Sequence, residues 1–488
     1  MTKKRHGWGA RALAATGVAT LGLVTLAGTA VATPQNDAPW LGTAPTSGTL
    51  TLYKHVEDAS STDGNPAGAA LEGVTFQIST IGTGTQGSCT AINLRSPVGW
   101  RQFGTLNSLW NGGDGSLPVG YCTTGTTFTA TTVSTGAATF ANTPVAAYLV
   151  TETGAGSNLI TTPADPFLMT LPLAAGNQWE YSPVAYPKNV LTEPGIPTKT
   201  AEAANIAGTS ALTWNSDATV PWTITATIPE ATLPYTDVVV TDSADTGLNP
   251  VVFSAALNGT DLAITDYVAA DAANGKLTLT TAGLDKVNAL TPAGDVTLTV
   301  VIHTTVTPGT TGRLYNGATL TLNGTVSDPI TNKPETKWGE LSINKHVYGD
   351  ATDSLAGAEF KVWPASGTPG AETCETTAPA TGTLDIGPTV VGQTLDTILW
   401  VSNAAGTTNK AYCVQETVAP QGYILNPEVT KVDLGSGSFT LPIANEKAVA
   451  PELPLTGGTG TLILSVAGVG VLGLALFAAI RRRKNADA

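Results

Sequence analysis

The chain has few charged residues and few residues that bind metals. Only 12% of its 488 residues are charged, and the formal net charge is −14. A surface of that sign repels phosphate backbones, which argues against a nucleic-acid partner. The four histidines are scattered and the four cysteines form no Cys-x-x-Cys pair. We therefore predict neither a metal site nor a bound cofactor.

Motifs that carry enzyme chemistry are also missing. The sequence contains no G-x-S-x-G nucleophile elbow and no H-E-x-x-H zinc motif. G-x-G-x-x-G matches begin at Gly82 and Gly468, but the first runs into Ser88-Cys89 and the second lies in a long apolar run. Neither has the strand and helix that a dinucleotide site requires. We expect a chain that is not an enzyme.

What the sequence does contain is Thr, Ala, Gly and Val in short alternating runs. Examples are residues 49–52, 223–226, 276–279 and 296–300. Period-two alternation interrupted by Gly and Pro predicts an all-β chain of antiparallel, immunoglobulin-like sandwiches. No amphipathic helix of ordinary length is predicted. A body of this length suits about three sandwiches.

An internal repeat divides this body. Three sequence blocks recur in the same order, with residues 50–56, 71–76 and 148–153 matching residues 341–347, 355–360 and 412–417. Such a repeat indicates two copies of one domain. The region between them has neither the pattern nor a cysteine. We predict an N-terminal domain at 33–189, a middle domain of another sandwich type at 190–338 and a C-terminal domain at 339–449.

Both ends of the chain carry targeting signals. Basic residues precede an apolar stretch at 13–26, and Ala30-Val31-Ala32 follows it, which predicts a secretory signal peptide over residues 1–32. At the other end, residues 461–480 carry no charge and precede Arg481-Arg482-Arg483-Lys484. An apolar run of about 20 residues can span a bilayer, and the basic cluster favours the cytoplasmic side. Residues 450–488 therefore predict a transmembrane anchor.

The pentapeptide before that apolar run decides much of the interpretation. Leu453, Pro454, Leu455, Thr456 and Gly457 resemble, together with the anchor, the LPxTG sorting signal of Gram-positive cell-wall proteins. The resemblance implies that a sortase cleaves after Thr456 and transfers its carbonyl group to an amine. It also implies an exported protein that is anchored in the membrane only transiently. Pilus-specific and housekeeping sortases and peptidoglycan are the implied partners.

A second motif lies at the end of the N-terminal domain. Tyr186-Pro187-Lys188-Asn189 resembles the pilin motif of sortase-assembled shaft subunits. The resemblance implies that Lys188 accepts Thr456 of an identical neighbouring subunit. Lys188 and Asn189 point to opposite faces of an extended strand, so one can face a sortase while the other faces the core.

The C-terminal copy resembles the pilin-type B domain of collagen-adhesin-like proteins, because residues 412–423 are similar to that family's E-box. The resemblance implies an isopeptide bond between Lys345 and Asn445, promoted by Glu416. Burial disfavours a charged amine and leaves a neutral nucleophile, while a buried acid can relay protons. The alternative is an unreacted, buried Lys345–Glu416 ion pair.

The other domains offer comparable residues. The middle domain resembles the A-type domains of the same adhesins. The resemblance implies an isopeptide bond between Lys199 and Asn316, promoted by Asp242. The alternative is that the three are ordinary polar residues on the surface of a sandwich. The N-terminal copy offers Lys54, Glu152 and Asn189. There the E-box is degenerate and the spacing from lysine to asparagine is longer, so whether a bond forms stays open.

The four cysteines predict two disulfides, since an even number outside the cell is usually paired. Pairing within domains joins Cys89 to Cys122 and Cys374 to Cys413. The alternative pairings would tie the two end domains together across the middle domain.

Taken whole, the sequence resembles the major shaft subunits of Gram-positive type-1 fimbriae. The resemblance implies a head-to-tail covalent fibre of identical subunits that supports adhesion, a tip pilin as a further partner and a surface ligand that the sequence does not identify. A wall-anchored monomeric adhesin and a minor or basal pilin are the alternatives.

Overall fold

The computed structural model describes residues 38–57, 68–113, 115–176, 178–202, 218–368, 370–403 and 409–449. The predicted signal peptide and the LPLTG segment with its anchor lie outside the described residues. Strands dominate the described chain, which confirms the all-β prediction. Two compact units are present: Met1–Glu340 with Ile398–Lys410 and Leu434–Ser438, and Leu341–Thr397 with Ala411–Asp433 and Phe439–Ala488. The three-domain division stays a prediction.

The first part of unit one is a β-sandwich with one inserted helix. Its elements are β1 (Ser47–Tyr53), β2 (His55–Val56), β3 (Thr75–Thr85), β4 (Ser88–Ala91), α1 (Pro97–Leu109), β5 (Tyr121–Thr131), β6 (Ala137–Pro144), β7 (Ala146–Gly154), β8 (Phe167–Leu171), β9 (Leu173–Ala175), β10 (Gln178–Glu180), β11 (Val184–Ala185) and β12 (Lys188–Asn189). One sheet has the order β4-β3-β7-β8 with β5 also on β3, and the other has the order β11-β1-β6. Their apolar side chains meet in one core, where Leu50 and Leu52 face Ile78 and Val150.

The second part of unit one is another sandwich. Its elements are β13 (Thr198–Ala201), β14 (Thr219–Ile228), β15 (Val238–Ala244), β16 (Leu248–Leu257), β17 (Thr260–Asp261), α2 (Ala269–Ala272), β18 (Lys276–Thr278), α3 (Thr281–Leu290), a 3-10 turn (Thr291–Ala293), β19 (Val296–Val306), β20 (Gly312–Leu322) and β21 (Thr325–Val326). The sheet β13-β14-β19-β16-β17 packs on the strands β18-β15-β20. Ile224 and Val300 lie on one side of this core, and Val240 and Leu320 lie on the other.

The remaining strands carry the C-terminal repeat copy. They are β22 (Glu335–Val347), β23 (Asp350–Ser354), β24 (Glu359–Pro364), β25 (Leu384–Ile386), β26 (Leu395–Ser402), β27 (Lys410–Val418), β28 (Val429–Leu434) and β29 (Ser438–Asn445). In unit two, β25-β24-β27-β28 form one sheet, and β22 pairs with β23 and β29. Ile343, Phe360, Val414 and Ile443 are buried between these strands.

The prediction that no ordinary helix is present was wrong. Helix α1 has 13 residues and begins at Pro97, with the Ser96 hydroxyl accepting a hydrogen bond from the backbone N–H of Gly99. It buries Leu106 in a small core with Ile81 and Leu94. Gly99, Gly104 and Thr105 interrupt its apolar periodicity, so only the Ser-Pro start signal was available in the sequence.

The structure joins Cys89 to Cys122 and Cys374 to Cys413, the same pairs that the sequence predicts. Each pair lies inside one sandwich region, with the cysteine Cα atoms 5.9 and 5.7 Å apart. Among the described residues, no cluster of His, Cys, Asp or Glu side chains could hold a metal ion. The part of the chain that the structure describes also contains no helix suited to crossing a bilayer.

We predict that replacing Cys374 and Cys413 by Ser destabilises the C-terminal sandwich. The bond closes a loop with a sequence separation of 39, and such closure contributes roughly 2–4 kcal/mol to the free energy of unfolding. Thermal denaturation should show a lower melting temperature, and limited proteolysis should cut between the two positions. The matched Cys89/Cys122→Ser variant should leave that segment resistant. Unchanged melting and proteolysis of the first variant would contradict the prediction.

Candidate functional site

The structure brings together the residues of each predicted lysine–acid–asparagine group. We name them the N-terminal site (Lys54, Glu152, Asn189), the middle site (Lys199, Asp242, Asn316) and the C-terminal site (Lys345, Glu416, Asn445). In every site the lysine comes from an early strand or its end, and the asparagine from a late strand. The side chains of all the lysines and acids are almost completely removed from solvent.

The N-terminal site is a closed triangle of hydrogen bonds. The Lys54 Nζ donates to Glu152 Oε2 at 2.8 Å and to Asn189 Oδ1 at 2.5 Å. The Asn189 Nδ2 donates to Glu152 Oε1 at 2.6 Å. The Lys54 Nζ also lies 5.7 Å from the centroid of the Phe76 ring. The lysine nitrogen therefore contacts both the acid and the amide with which it would react.

Strand pairing creates this triangle. Lys54 follows β1 directly, and β12 pairs in parallel with β2 so that Asn189 lies opposite Val56. On the facing sheet, β3 pairs with β7 and places Phe76 opposite Glu152. The first and last strands of this sandwich thus meet beside the acid strand.

The middle site has the same composition with a different hydrogen-bond pattern. The Lys199 Nζ donates to Asp242 Oδ1 and, at 3.0 Å, to the backbone oxygen of Gly317. The Asn316 Nδ2 donates to Asp242 Oδ2 at 3.3 Å. The Asn316 Oδ1 is buried without a hydrogen-bond partner in the described structure. The indole of Trp222 covers the amine, with Nζ 5.5 Å from the ring centroid.

In the C-terminal site, one carboxyl oxygen faces both partners. The Lys345 Nζ lies 3.3 Å from Glu416 Oε1 and donates to the backbone oxygen of Ile443 at 3.3 Å. The Asn445 Nδ2 donates to the same Glu416 oxygen at 3.0 Å and to the backbone oxygen of Ile424 at 2.8 Å. As in the middle site, the asparagine Oδ1 is buried without a partner in the described structure.

Burial changes the protonation of these amines. It lowers the pKa of Lys54 and of Lys199 from 10.5 to about 8, although the neighbouring carboxyl groups oppose the shift. Burial lowers the pKa of Lys345 as well, against the opposing charge of Glu416. It also raises the pKa of Asp242, against the opposing charge of Lys199. A neutral amine is thereby accessible near neutral pH, and a neutral amine next to a carboxamide can attack it.

Lys188, the predicted acceptor, lies beside the N-terminal site. It is half-buried and pairs with His55, whereas Asn189 is buried on the other face of β12. The alternation predicted for these two residues is therefore present. Nearby, the rings of Tyr186 and Tyr53 stack with centroids 5.5 Å apart.

Sequence reasoning missed several groups that line the sites. Phe76 could have been found, because Phe76 and Phe360 both end the second repeat block. Trp222 gave no signal, since nothing in the sequence places β14 beside Lys199. The backbone N–H groups of Ala164 and Asn426 donate to Glu152 and Glu416. A backbone donor is independent of residue type and leaves no pattern in a single sequence.

We predict that Asn189→Ala leaves Lys54 as a free, buried amine with a lowered pKa. Between pH 8 and 10.5 the unfolded chain would hold a proton that the folded chain lacks, so the free energy of unfolding should rise with pH in that window. Below pH 8 both states are protonated, and the folded state bears the full cost of burying the charge. Denaturant titrations at several pH values measure this dependence.

The matched control is Asn189→Ala combined with Lys54→Met, which removes the titrating amine. The difference in unfolding free energy between the two variants should shrink as the pH rises through the window. A difference that is constant with pH would show that Lys54 titrates like an exposed lysine.

Two family models match the chain. Residues 45–190 match the Gram-positive pilin subunit D1, N-terminal domain. Residues 445–487 match the LPXTG cell wall anchor motif. The first match contains Lys54, Glu152, Lys188 and Asn189, and the second contains Asn445 and the LPLTG segment.

Curated relatives agree with these matches. The chain is 29% identical over 544 aligned residues to the fimbrial subunit type 2 of Actinomyces naeslundii, with 98% of this chain and 97% of the relative covered. It is 27% identical over 424 residues to the fimbrial subunit type 1 of Actinomyces viscosus, with 73% and 76% covered.

Solved pilins are also similar. The full-length major pilin SpaD from Corynebacterium diphtheriae is 23% identical, with a TM-score of 0.40 and 83% of this chain and 98% of that chain covered. The RrgB pilus protein from Streptococcus pneumoniae is 14% identical, with a TM-score of 0.41 and 84% and 99% covered. The family models and the fimbrial relatives together identify this chain as a Gram-positive pilin subunit, exposed at the cell surface and anchored to the cell wall.

Proposed function

We propose that this pilin subunit is the shaft-forming unit of a covalent fimbria, in which a sortase joins Thr456 of one subunit to Lys188 of the next. The observation that carries the proposal is the arrangement of β12. Asn189 is buried in the N-terminal site, while its neighbour Lys188 lies on the opposite face. The acceptor is thus fixed to the core by the adjacent residue. Its strand also pairs in parallel with β2.

The linkage reaction balances without a cofactor. A sortase thiolate attacks the carbonyl carbon of Thr456, the Thr456–Gly457 amide breaks, and the segment from Gly457 leaves with a free amine. The amine of Lys188 on the next subunit then attacks the thioester, which forms an amide and releases the thiol. Because donor and acceptor are different surfaces, the assembly is open and head-to-tail. Transfer of the last acyl group to a peptidoglycan amine ends the fibre at the wall.

Each buried site would form one internal amide. The neutral lysine Nζ attacks the asparagine Cγ, the acid takes a proton from the amine and delivers one to the departing nitrogen, and ammonia leaves. The proposed bonds are Lys54–Asn189, Lys199–Asn316 and Lys345–Asn445. Each acid takes part in a single intramolecular reaction, after which no turnover follows. The chain is therefore a structural protein and a sortase substrate.

We predict that the intact mass of the secreted body, measured after reduction of its two disulfides, is lower than its sequence mass by the mass of three ammonia molecules. Lys54→Ala, Lys199→Ala and Lys345→Ala should each restore one ammonia, because each removes one nucleophile. Glu416→Ala should restore one as well, since no proton relay remains at the C-terminal site. Mass spectrometry of the purified protein measures these differences.

Lys361 provides the matched control, because it forms a partly exposed ion pair with Asp385 rather than a buried site. Lys361→Ala should leave the three-ammonia deficit unchanged. A body of full sequence mass would refute the internal bonds and leave buried ion pairs as the correct interpretation.

We predict that Lys188→Ala abolishes the high-mass ladder on immunoblots of cell-wall extracts, since the acyl-enzyme then has no acceptor. Thr456→Ala should do the same by removing the donor. The exposed Lys431, which pairs with Asp433, gives a control, and Lys431→Ala should keep the ladder. A single band from the unmodified protein would instead indicate a wall-anchored monomeric adhesin. A ladder in which this chain is only a sparse component would indicate a minor or basal pilin.

A further inference from the structure

We propose that in the N-terminal and C-terminal sites a backbone N–H positions the carboxyl group for bond formation. This N–H lies in the loop after β7 in the first site and in the loop after β27 in the second. The inference rests on the proposed internal amides. The Ala164 N–H donates to Glu152 Oε2 at 3.0 Å. The Asn426 N–H donates to Glu416 Oε2 at 2.9 Å. These donors follow their acids by 12 and 10 residues. The loops that carry them differ in sequence.

The donor selects which carboxyl oxygen faces the reacting amide. In both sites the backbone N–H occupies Oε2, while the asparagine Nδ2 donates to Oε1. A carboxyl group held by a separate donor on each oxygen cannot rotate without losing a buried hydrogen bond. Because an N–H can only donate, it needs an unprotonated oxygen, and Oε2 fills that role. A proton that the acid delivers during the reaction then comes from Oε1, next to the nitrogen that must leave as ammonia.

Proton transfer in the N-terminal site follows from this placement. Lys54 donates to Oε2 of Glu152, and Asn189 contacts Oε1. As the new N–C bond forms, the amine gives one proton to Oε2 and Oε1 gives one to the leaving nitrogen. The carboxyl group ends in the protonation state in which it began. In the C-terminal site, Lys345 and Asn445 both face Oε1, so that oxygen serves both transfers while Oε2 stays anchored.

In the C-terminal site, the end of the E-box fixes the loop that carries the Asn426 N–H, which we call the donor loop. Gly422 adopts a positive φ of 86° in the turn that follows β27. Tyr423 then bridges to Lys447, and the Ile424 N–H donates to the backbone oxygen of Glu446 at 2.8 Å. The loop is thereby fixed to the segment after the last strand, and Asn426 follows two residues later.

The N-terminal site reaches the same geometry without that motif. Its loop begins Gly154-Ala155-Gly156, yet Leu159 is buried in the core of the second sandwich of unit one. The Asn323 Nδ2 also donates to the backbone oxygen of Asn158 at 3.2 Å. Packing on the neighbouring sandwich therefore replaces the E-box turn as the anchor of the donor loop. This is how a degenerate E-box can retain an assembled site.

The test removes the N–H of Ala164 in the full-length chain. Ala164→Pro removes the donor, and an ester in place of the amide at position 164 removes it without adding a ring. Ala164→Val keeps the donor and is the matched control. The appearance of the Lys54–Asn189 crosslink is followed by peptide mapping of freshly synthesised protein. We expect formation to slow by about tenfold or more in the Pro and ester variants, and to change little in the Val variant.

Two internal comparisons separate positioning from folding. The Lys199–Asn316 crosslink in the same molecules should form at its normal rate. In a Lys54→Met background, which cannot react, the ester variant should stay folded and unfold cooperatively, with only the modest drop in melting temperature that one lost hydrogen bond produces. Equal crosslinking rates with and without the N–H would overturn this inference and leave the proposed bonds standing. Absence of the crosslink in the unmodified chain would overturn the proposed bond, and the inference with it.

Discussion

The cost of burying an ammonium group is the constraint on which the other features of this pilin depend. Lys54, Lys199 and Lys345 are 0%, 7% and 1% exposed, and a charged amine at such depth needs a close partner or must lose its proton. The same desolvation that penalises the charge produces the neutral nucleophile. Placing an acid and an asparagine within hydrogen-bond reach then connects burial to chemistry. Folding of each sandwich is what assembles the reactants.

Proposed crosslinks at these positions would change how the subunit carries tension. Between Lys188 and Thr456, force would follow the chain to Lys199, cross to Asn316, continue to Lys345 and cross to Asn445. The strands enclosed by those two bonds would lie outside the loaded path. The Lys54–Asn189 bond would lie beside that path and hold the acceptor strand β12 to β1. A shaft built in this way transmits load through covalent bonds rather than through sheet hydrogen bonds.

The sequence predicted what depends on residue type and failed where tertiary contacts decide. Alternation identified strands such as β19, because side-chain period and burial coincide there. The E-box and the repeat located Glu416 and, by comparison, Glu152. Helix α1 was missed, because Gly99, Gly104 and Thr105 weaken its apolar periodicity and its burial comes from a small separate core.

The N-terminal site shows the limit most clearly. The degenerate E-box, which continues as Gly154-Ala155-Gly156, left open whether this bond forms. The structure nevertheless assembles Lys54, Glu152 and Asn189 into a closed triangle. The compensating contact is made by Leu159 with a different sandwich. A motif comparison within one sandwich cannot include a contact made with another.

Single-molecule force spectroscopy distinguishes covalent lysine–asparagine links from buried ion pairs. The subunit is held through position 188 and its C-terminal segment and is stretched at increasing force. If the crosslinks have formed, we expect extension of the linkers alone, with no unfolding step from the chain between Lys199 and Asn316 or between Lys345 and Asn445. Stepwise unfolding that releases those segments would show that the buried lysines are ion pairs rather than covalent links.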